Sequence, residues 1–506
     1  MKKHHLLKII LSAFFPIFWM GCELETEIYS EINPTLFPQN ESDVQALVDA
    51  NYRVFTCYGI FTIDAGYTLQ SDMVTDHVEC TWGWTTVYNS FEADDWHIDG
   101  DFRRVYDNSK YLASMMLTID RIKDVPMNQD ALNNYIAEMK CGMGFLAFML
   151  YDMYGPIPIP TLEILKEPLN EKILPRLSEE QMQEFIETNL LEAAKVLPVQ
   201  YDANNYGRFT KGLAKTLLMK LYMMTERWAD AEAIGRELTK APFSYGLVPD
   251  YHSLFSLAGE INNEVIYSAI NKEGVIHSQW FAHTLPGDFP TALGNTITKW
   301  GGYKISWPFY DSYEPGDKRL ERLIGEYTGT DGILHNKQKD RIEGNAGSVL
   351  WYGAVPQKYA IEGVVGNMCE IDQPIYRYAD VITLLAEAIV RNGNKVTQEA
   401  LDYLNMVRKR VGLGNYTMSD AGDVETFLDK VLIERGHEFY LEGVRRQDLI
   451  RHRKFIPYAV KKAEWAGQST AKIETFVDGR YKYERFPIPT KIINEGMGII
   501  TQNPGY

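Results

Sequence analysis

Apolar residues in this chain recur at helical spacing in runs that come two at a time across short turns, and few folds accept such a pattern. The clearest pair runs from Gly207 to Leu238. Ala214, Leu217, Leu218 and Tyr222 mark one face of its first helix, and Trp228-Ala229-Asp230-Ala231 opens its second. Steps of three and four residues put these side chains on one side of a 3.6-residue turn. One such pair cannot bury both apolar faces alone, so it must stack on neighbours. The stretch 373–410 has the same layout. Further helices are predicted over 42–58, 101–123, 129–154, 178–196, 423–441 and 442–453. In the first of these Val44, Leu47, Val48, Tyr52 and Phe55 share a face, and Ser42 or Asp43 is the expected cap. The helix over 129–154 ends at Gly155-Pro156, with Pro158 and Pro160 beyond it as stops. Short strands are predicted at Glu264–Ala269, Ile305–Phe309 and Val349–Tyr352.

The Gly207–Leu238 pair resembles a tetratricopeptide unit, a module whose stacked copies usually present a surface to a partner. The repeat period is not strict. The fold expected is mainly α: a tetratricopeptide-like helix-pair scaffold with an irregular, loop-rich region packed on it. Residues 41–506 are read as a single domain. Its irregular, ligand-binding portion falls mainly at 60–100 and 270–350; the latter is rich in Gly, Trp, Tyr and His and weak in helical periodicity. Long ordered loops in a compact body are usually functional.

The N-terminus reads as an export leader. Lys2, Lys3, His4 and His5 precede an apolar run from Leu6 to Met20, then Gly21 and Cys22, with Glu23, Glu25 and Glu27 after them. A small residue followed by cysteine is the pattern of a bacterial lipoprotein, whose thiol is lipidated. Residues 1–21 are therefore expected to be a signal peptide and 22–40 a flexible lipidated leash. A membrane anchor needs about 20 apolar residues; Leu6–Met20 is shorter and contains Lys8 and Pro16. A leader cleaved without lipidation is the other reading. Trp19 stands where lipoprotein signals favour an aliphatic residue.

Losing a leader with three lysines and no acid takes the formal charge from −17 to −20. A body this acidic disfavours both nucleic acid and anionic lipid as partners, and no nucleic-acid partner is expected. Cys57, Cys80, Cys141 and Cys369 match no zinc-binding spacing and read as isolated buried thiols, although three disulfide pairings are open to them.

Three constellations bear on chemistry. Glu434, Glu438 and Glu442 lie four apart on one helical face. Neighbours at that spacing have Cβ atoms about 5–6 Å apart and point the same way, whereas glycosidase carboxylates flank the scissile bond. With Arg435, Arg445 and Arg446 interleaved, they read as a structural ion network, Glu442 and Arg446 being at pairing distance. Asp94, Asp95, Asp99 and Asp101 cluster around Gly100 without the spacing of an EF-hand; an exposed acidic loop is expected, with a structural calcium site as the alternative. No cofactor is implied, and no catalytic or metal motif stands out. The aromatics are more informative. Trp82, Trp84 and Trp96 fall in one polar stretch, and Trp280, Trp300 and Tyr303 fall in the long irregular region. Indoles offer large apolar faces with a polar edge, which suits the flat C–H faces of sugars. These six are the candidate ligand-binding residues. Trp307 reads as scaffold, and Trp228 and Trp351 as core.

The C-terminal third carries a family resemblance. Its residues are Tyr376-Arg377-Tyr378-Ala379-Asp380, Leu384-Leu385-Ala386-Glu387-Ala388, Arg391-Asn392-Gly393 and Arg410-Val411-Gly412-Leu413. Ile433-Glu434-Arg435, Glu438-Phe439, Leu441-Glu442-Gly443 and Arg445-Arg446 follow, and Asn503-Pro504-Gly505-Tyr506 closes the chain. The chain resembles the SusD/RagB family of Bacteroidetes outer-membrane lipoproteins. The resemblance implies a cell-surface, lipid-anchored lid over a SusC-like TonB-dependent transporter, a binding protein and not an enzyme. It captures oligosaccharides or, in the RagB branch, oligopeptides. A membrane-tethered hydrolase is the remote alternative. Lys140-Cys141-Gly142-Met143-Gly144 departs from the family, which commonly carries an arginine in that neighbourhood.

Overall fold

The computed structural model describes residues 37–64, 66–82, 101–167, 169, 172–467, 470 and 473–506. The leader, Cys22 and most of the leash lie outside the described residues. So do Trp84, Trp96, Asp94, Asp95 and Asp99.

Side chains at the N-termini fix where the helices begin. Asn40, not Ser42 or Asp43, caps the helix Glu41–Tyr52: its Oδ1 accepts from the Asp43 N–H at 3.1 Å. Ser178 and Gln181 close a capping box before Glu179–Val196. Thr210, Thr397 and Asp423 cap Lys211–Met224, Gln398–Arg410 and Val424–Glu438. The helices then stack in chain order. Gln129–Tyr154 packs on Glu179–Val196, which packs on Lys211–Met224; Trp228–Leu238 packs on Lys211–Met224 and on Tyr378–Gly393, and the latter meets Gln398–Arg410 and Val424–Glu438. This is the expected mainly α, helix-pair scaffold. Its core is continuous, from Val44 near the N-terminus to Ile488 near the C-terminus.

Small residues let neighbouring helices close up. A Cβ on Gly144 would lie 2.6 Å from Leu190 Cγ, and one on Gly142 would lie 2.6 Å from Met115 Sδ. The departure from the family at 140–144 is therefore a close-packed helix crossing, with Lys140 reaching out to Glu192 at 2.5 Å.

Several expected elements differ. Residues 373–377 form a strand, not the start of a helix, and pair antiparallel with Val265–Ala269. The expected strand at 305–309 is Tyr303–Ser306, after which the Ser306 side chain and Pro308 start a helical turn, Trp307–Tyr310. The strand expected at 349–352 lies at Gly353–Pro356. The helix Phe455–Ala466 was not anticipated. The stretch 270–350 is less irregular than its composition suggests. Its strands Tyr303–Ser306 and Leu323–Ile324 join Val78–Cys80 and Gly353–Pro356 in a four-stranded sheet. Within it Cys80 pairs with Tyr303 and Val78 with Ile305, so the two segments expected to bind ligand are bonded edge to edge.

The carboxylates 434, 438 and 442 do form a buried ion network. Glu434 pairs with Arg319 at 2.7 Å and with Arg408 at 3.2 Å. Glu438 pairs with Arg377 at 2.9 Å and also with Arg410. Glu442 meets Lys358 at 2.5 Å and Arg377 at 2.8 Å. The expected Glu442–Arg446 pair does not form. The helix ends at Glu438, and Leu441 and Gly443 adopt positive φ, so the helical register between 442 and 446 is lost. Arg446 turns to Asp152 at 3.0 Å.

The cysteines at 57, 80, 141 and 369 are free and buried, as expected. Burial pushes the Cys57 and Cys369 thiols up to about 12, which keeps them in the unreactive thiol form. Among the described residues no helix is long and apolar enough to cross a membrane.

Candidate functional site: an open aromatic surface

The strand pairing that joins residues 78–80 to 303–305 sets Trp82 and Trp300 on either side of one histidine. His283, on the helix Trp280–Thr284, meets the Trp82 ring at 5.1 Å and the Trp300 ring at 5.3 Å, both edge to face. Tyr303 lies beneath, 5.3 Å from His283 and 5.4 Å from Trp82.

Local backbone fixes this arrangement. The N–H groups of Trp300 and Gly301 both donate to Ala282 O, at 2.7 and 3.2 Å. Gly301 has φ +70°, and a Cβ there would press within 2.7 Å of Pro286, so the turn after Trp300 requires glycine. The Trp82 ring lies on Gly302, where a Cβ would come within 2.4 Å of the indole. Buried Lys304 donates to Gly301 O at 2.6 Å from below. Burial brings its ammonium down to about 8.

Of the six predicted residues, the structure brings three of the described ones together and sets one apart. Trp300 is 48% exposed and Trp82 is half-buried against the sheet. Tyr303 is fully buried and its hydroxyl donates to Ile63 O at 2.9 Å; it supports the surface and does not line it. Trp280 is only 4% exposed and packs its ring, tilted, against Tyr359 at 4.6 Å, which makes it core. Both are corrected by burial: they occupy inward positions of a strand and a helix that the sequence did not reveal. Trp280→Ala should therefore cost about 3–5 kcal/mol of stability, as deletion of a buried aromatic does, read as a lower midpoint of chemical denaturation. Trp307 is buried as expected. Trp228 and Trp351 are half-buried, covered by the guanidiniums of Arg391 at 4.8 Å and Arg341 at 4.5 Å.

The sequence did not single out His283, which joins the two tryptophans. Burial lowers the His283 pKa, and the charge of nearby Asp64 partly opposes this. Asp64 is joined to Arg104 at 2.9 Å, and both side chains remain partly exposed. The ring nitrogen Nδ1 of His283 donates to Gln279 O at 3.0 Å, which fixes the ring edge-on to both indoles. On the preceding loop, exposed Tyr58 contacts His277 at 2.6 Å. A lone histidine carries no sequence signal; only the tertiary fold places His283 between the two tryptophans.

A cleft of about 370 Å³ lined by Tyr201, Tyr206, Arg208 and Tyr245 lies within the helical scaffold. Its polar groups are engaged structurally. Arg208 holds Glu138 at 2.8 Å and Asp49 at 2.7 Å, and the Tyr206 hydroxyl donates to Asp372 at 3.1 Å. The aromatic surface is open by contrast, with nearly half of Trp300 exposed.

The fold is thus a stacked helix-pair scaffold that carries an aromatic surface on inserted strands and loops, a recognisable architecture. The comparisons with known proteins agree on which one. A model of the SusD family matches residues 263–506. The chain is 23% identical over 486 residues to SusD-like protein P25 of Formosa agariphila, spanning 88% of this chain and 89% of that protein. It is 32% identical over 187 residues to the starch-binding protein SusD of Bacteroides thetaiotaomicron, spanning 36% of this chain and 30% of that protein. Its fold matches surface glycan-binding protein A of Bacteroides thetaiotaomicron, solved with laminarihexaose, with a TM-score of 0.72 at 21% identity over 92% of this chain and 100% of that one. The family match over residues 263–506 and these relatives together support the SusD/RagB family for this chain.

Proposed function

We propose that this protein is a cell-surface, outer-membrane lipoprotein that captures oligosaccharides and delivers them to a SusC-like TonB-dependent transporter. The observation that carries this reading is the exposed Trp300 indole, held beside Trp82 by His283. Aromatic faces stack on the apolar faces of a sugar ring, and a few polar groups around them serve its hydroxyls. A starch-binding relative and a structural neighbour bound to laminarihexaose support a glucan as ligand. The acidic composition favours a neutral glycan over a sulfated one.

The protein acts by noncovalent capture, not turnover. Titration with laminarihexaose and with maltooligosaccharides by calorimetry, alongside a peptide pool, tests it. Saturable glycan binding without release of shorter sugars is expected; binding of peptides alone, or glycan hydrolysis lost on substitution of one carboxylate, overturns it. Attachment and recognition are separate tasks in this reading. Cys22→Ala should move the protein from the membrane fraction to the soluble fraction and leave its glycan affinity unchanged, as fractionation and titration of the soluble form would measure.

A further inference from the structure

The hairpin formed by Glu326–Thr328 and Leu334–Asn336 brings an unassigned group of side chains together. His335 lies on its second strand and Asp331 in its turn. Asp288 comes from the loop that follows the helix Trp280–Thr284. One donor atom from each of the three lies within 4.8 Å of the others.

Hydrogen bonding at His335 leaves a specific gap. Its Nδ1 lies 3.2 Å from Asp340 Oδ1. A carboxylate only accepts at neutral pH, so Nδ1 carries the proton. The other nitrogen, Nε2, then faces Asp288 and Asp331. It sits 3.0 Å from Asp288 Oδ2, yet the two are out of line: both atoms are buried and neither makes a hydrogen bond. His335 as a whole is 7% exposed. Unpartnered buried polar atoms are costly. Here two of them converge, one on a ring nitrogen and one on a carboxylate.

The electrostatics point the same way. Three carboxylates surround one imidazole, and among the described residues no lysine or arginine forms an ion pair with Asp288, Asp331 or Asp340. The space between the carboxylates is kept open by glycine. A Cβ on Gly329 would lie 2.5 Å from Asp288 Oδ2 and 2.6 Å from Asp331 Oδ1.

We propose that Asp288, Asp331 and His335 bind a divalent cation of the zinc class. A ring nitrogen among the donors argues against calcium and magnesium, which take oxygen ligands. Zinc bonds histidine nitrogen and carboxylate oxygen at about 2.0–2.2 Å, so the three donors draw together slightly around it. The outer groups are also in place. Asp340 holds the distal nitrogen of the ligating imidazole, the usual carboxylate–histidine–metal relay. The Tyr327 hydroxyl donates to Asp288 Oδ1 at 2.9 Å, which leaves Oδ2 for the ion.

The role assigned is structural. The Asp288 loop runs on to Trp300, and Lys299 is tied back to Phe289 O at 2.8 Å. The hairpin touches this loop through Thr330 N–H to Asp288 O at 2.9 Å and through the Phe289–Tyr327 rings at 4.9 Å. An ion shared by Asp288, Asp331 and His335 cross-links the hairpin to the segment that carries the exposed indole.

The test uses the full chain stripped with EDTA and titrated with zinc, calcium and magnesium chloride by calorimetry, with thermal unfolding followed in each. One zinc per chain and a zinc-dependent rise in unfolding temperature are expected, because a ligand of the folded state alone stabilises it. Asp331→Asn changes an exposed turn residue and should leave the metal-free unfolding temperature unaltered. It should weaken zinc binding by at least about 10-fold, since losing even an outer-shell group of a metal site costs about 10- to 100-fold; His335→Gln should do at least as much. No zinc uptake, uptake unchanged in both variants, or preference for calcium overturns the assignment.

Discussion

Replacing Glu438 by glutamine is expected to destabilise the protein by about 3–5 kcal/mol, the cost of removing one partner from a buried ion pair. The side chain is fully buried. Its Oε1 accepts from Arg377 Nη1 at 2.9 Å and from Arg410, and its Oε2 lies 3.4 Å from Arg319 Nη1. Glutamine keeps the shape but leaves three guanidiniums short of negative charge. The same residue links stability to pH. Burial alone would push its carboxyl up, but the Arg410, Arg377 and Arg319 guanidiniums overcome this and hold it at about 2. Asp380 is likewise held at about 2, burial being outweighed by Lys220 and Arg435. An unfolded Glu or Asp titrates near 4. The folded-state values are depressed, so the stabilisation is fully present above about pH 5 and is lost as pH falls through 4 towards 2. Glu434 works in the opposite sense: burial raises its pKa, so its protonation softens the acid loss. Chemical denaturation at pH 7, 5 and 3 should show the parent losing stability steeply on the acid side and Glu438→Gln losing less. Parallel pH slopes for the two proteins would refute the role given to Glu438.

Trp300→Ala is expected to weaken glycan binding about 30-fold, the roughly 2 kcal/mol typical of an aromatic hot spot. Stability should hardly change, because substitutions of exposed residues usually stay within about 0.5 kcal/mol and nearly half of Trp300 is exposed. Trp82→Ala should also weaken binding but with a measurable loss of stability, since its indole covers Gly302 and meets His283 and Tyr303. The two tryptophans thus separate recognition from folding. Calorimetric titration with the glycan that the parent binds, paired with denaturation of each variant, is the measurement. Parent-like affinity in Trp300→Ala would remove this surface as the binding site. Full unfolding of Trp300→Ala would contradict its exposure.

Much of the scaffold was legible because helix pairs write themselves locally. The apolar spacing of Ala214, Leu217, Leu218 and Tyr222 is a consequence of one helix packing on another, and the helix Lys211–Met224 buries all four. The reading of residues 434, 438 and 442 as structural also rested on local geometry, since carboxylates stacked on one helical face cannot flank a bond. What failed there was the partner of Glu442. Two positive-φ residues interrupt the helix, and a pattern of spacing does not register a break that depends on the chain's path. The strand at 373–377 failed for a related reason. Its five residues are all buried, and a short buried strand beside a helix carries no periodicity of its own.

The candidate site was half legible. Composition marked both segments and named Trp82 and Trp300, but it named Trp280 and Tyr303 with equal weight. Exposure separates them, and exposure is set by which face of a strand or helix meets the core. His283 is isolated in sequence and meets both Trp82 and Trp300 only in the folded chain, where Cys80 pairs with Tyr303. The cluster of Asp288, Asp331 and His335 is likewise assembled by one loop and one hairpin turn.

The sequence by itself determined the helix-pair scaffold, the structural character of the acidic helix face and the family resemblance. Each depends on spacing within a few turns of helix or on residues met in fixed order. Only the tertiary structure decided which arginine neutralises which carboxylate, which tryptophan faces solvent and which distant acids meet one histidine. Those outcomes depend on contacts between segments up to hundreds of residues apart, and burial in a shared core, not local propensity, sets them.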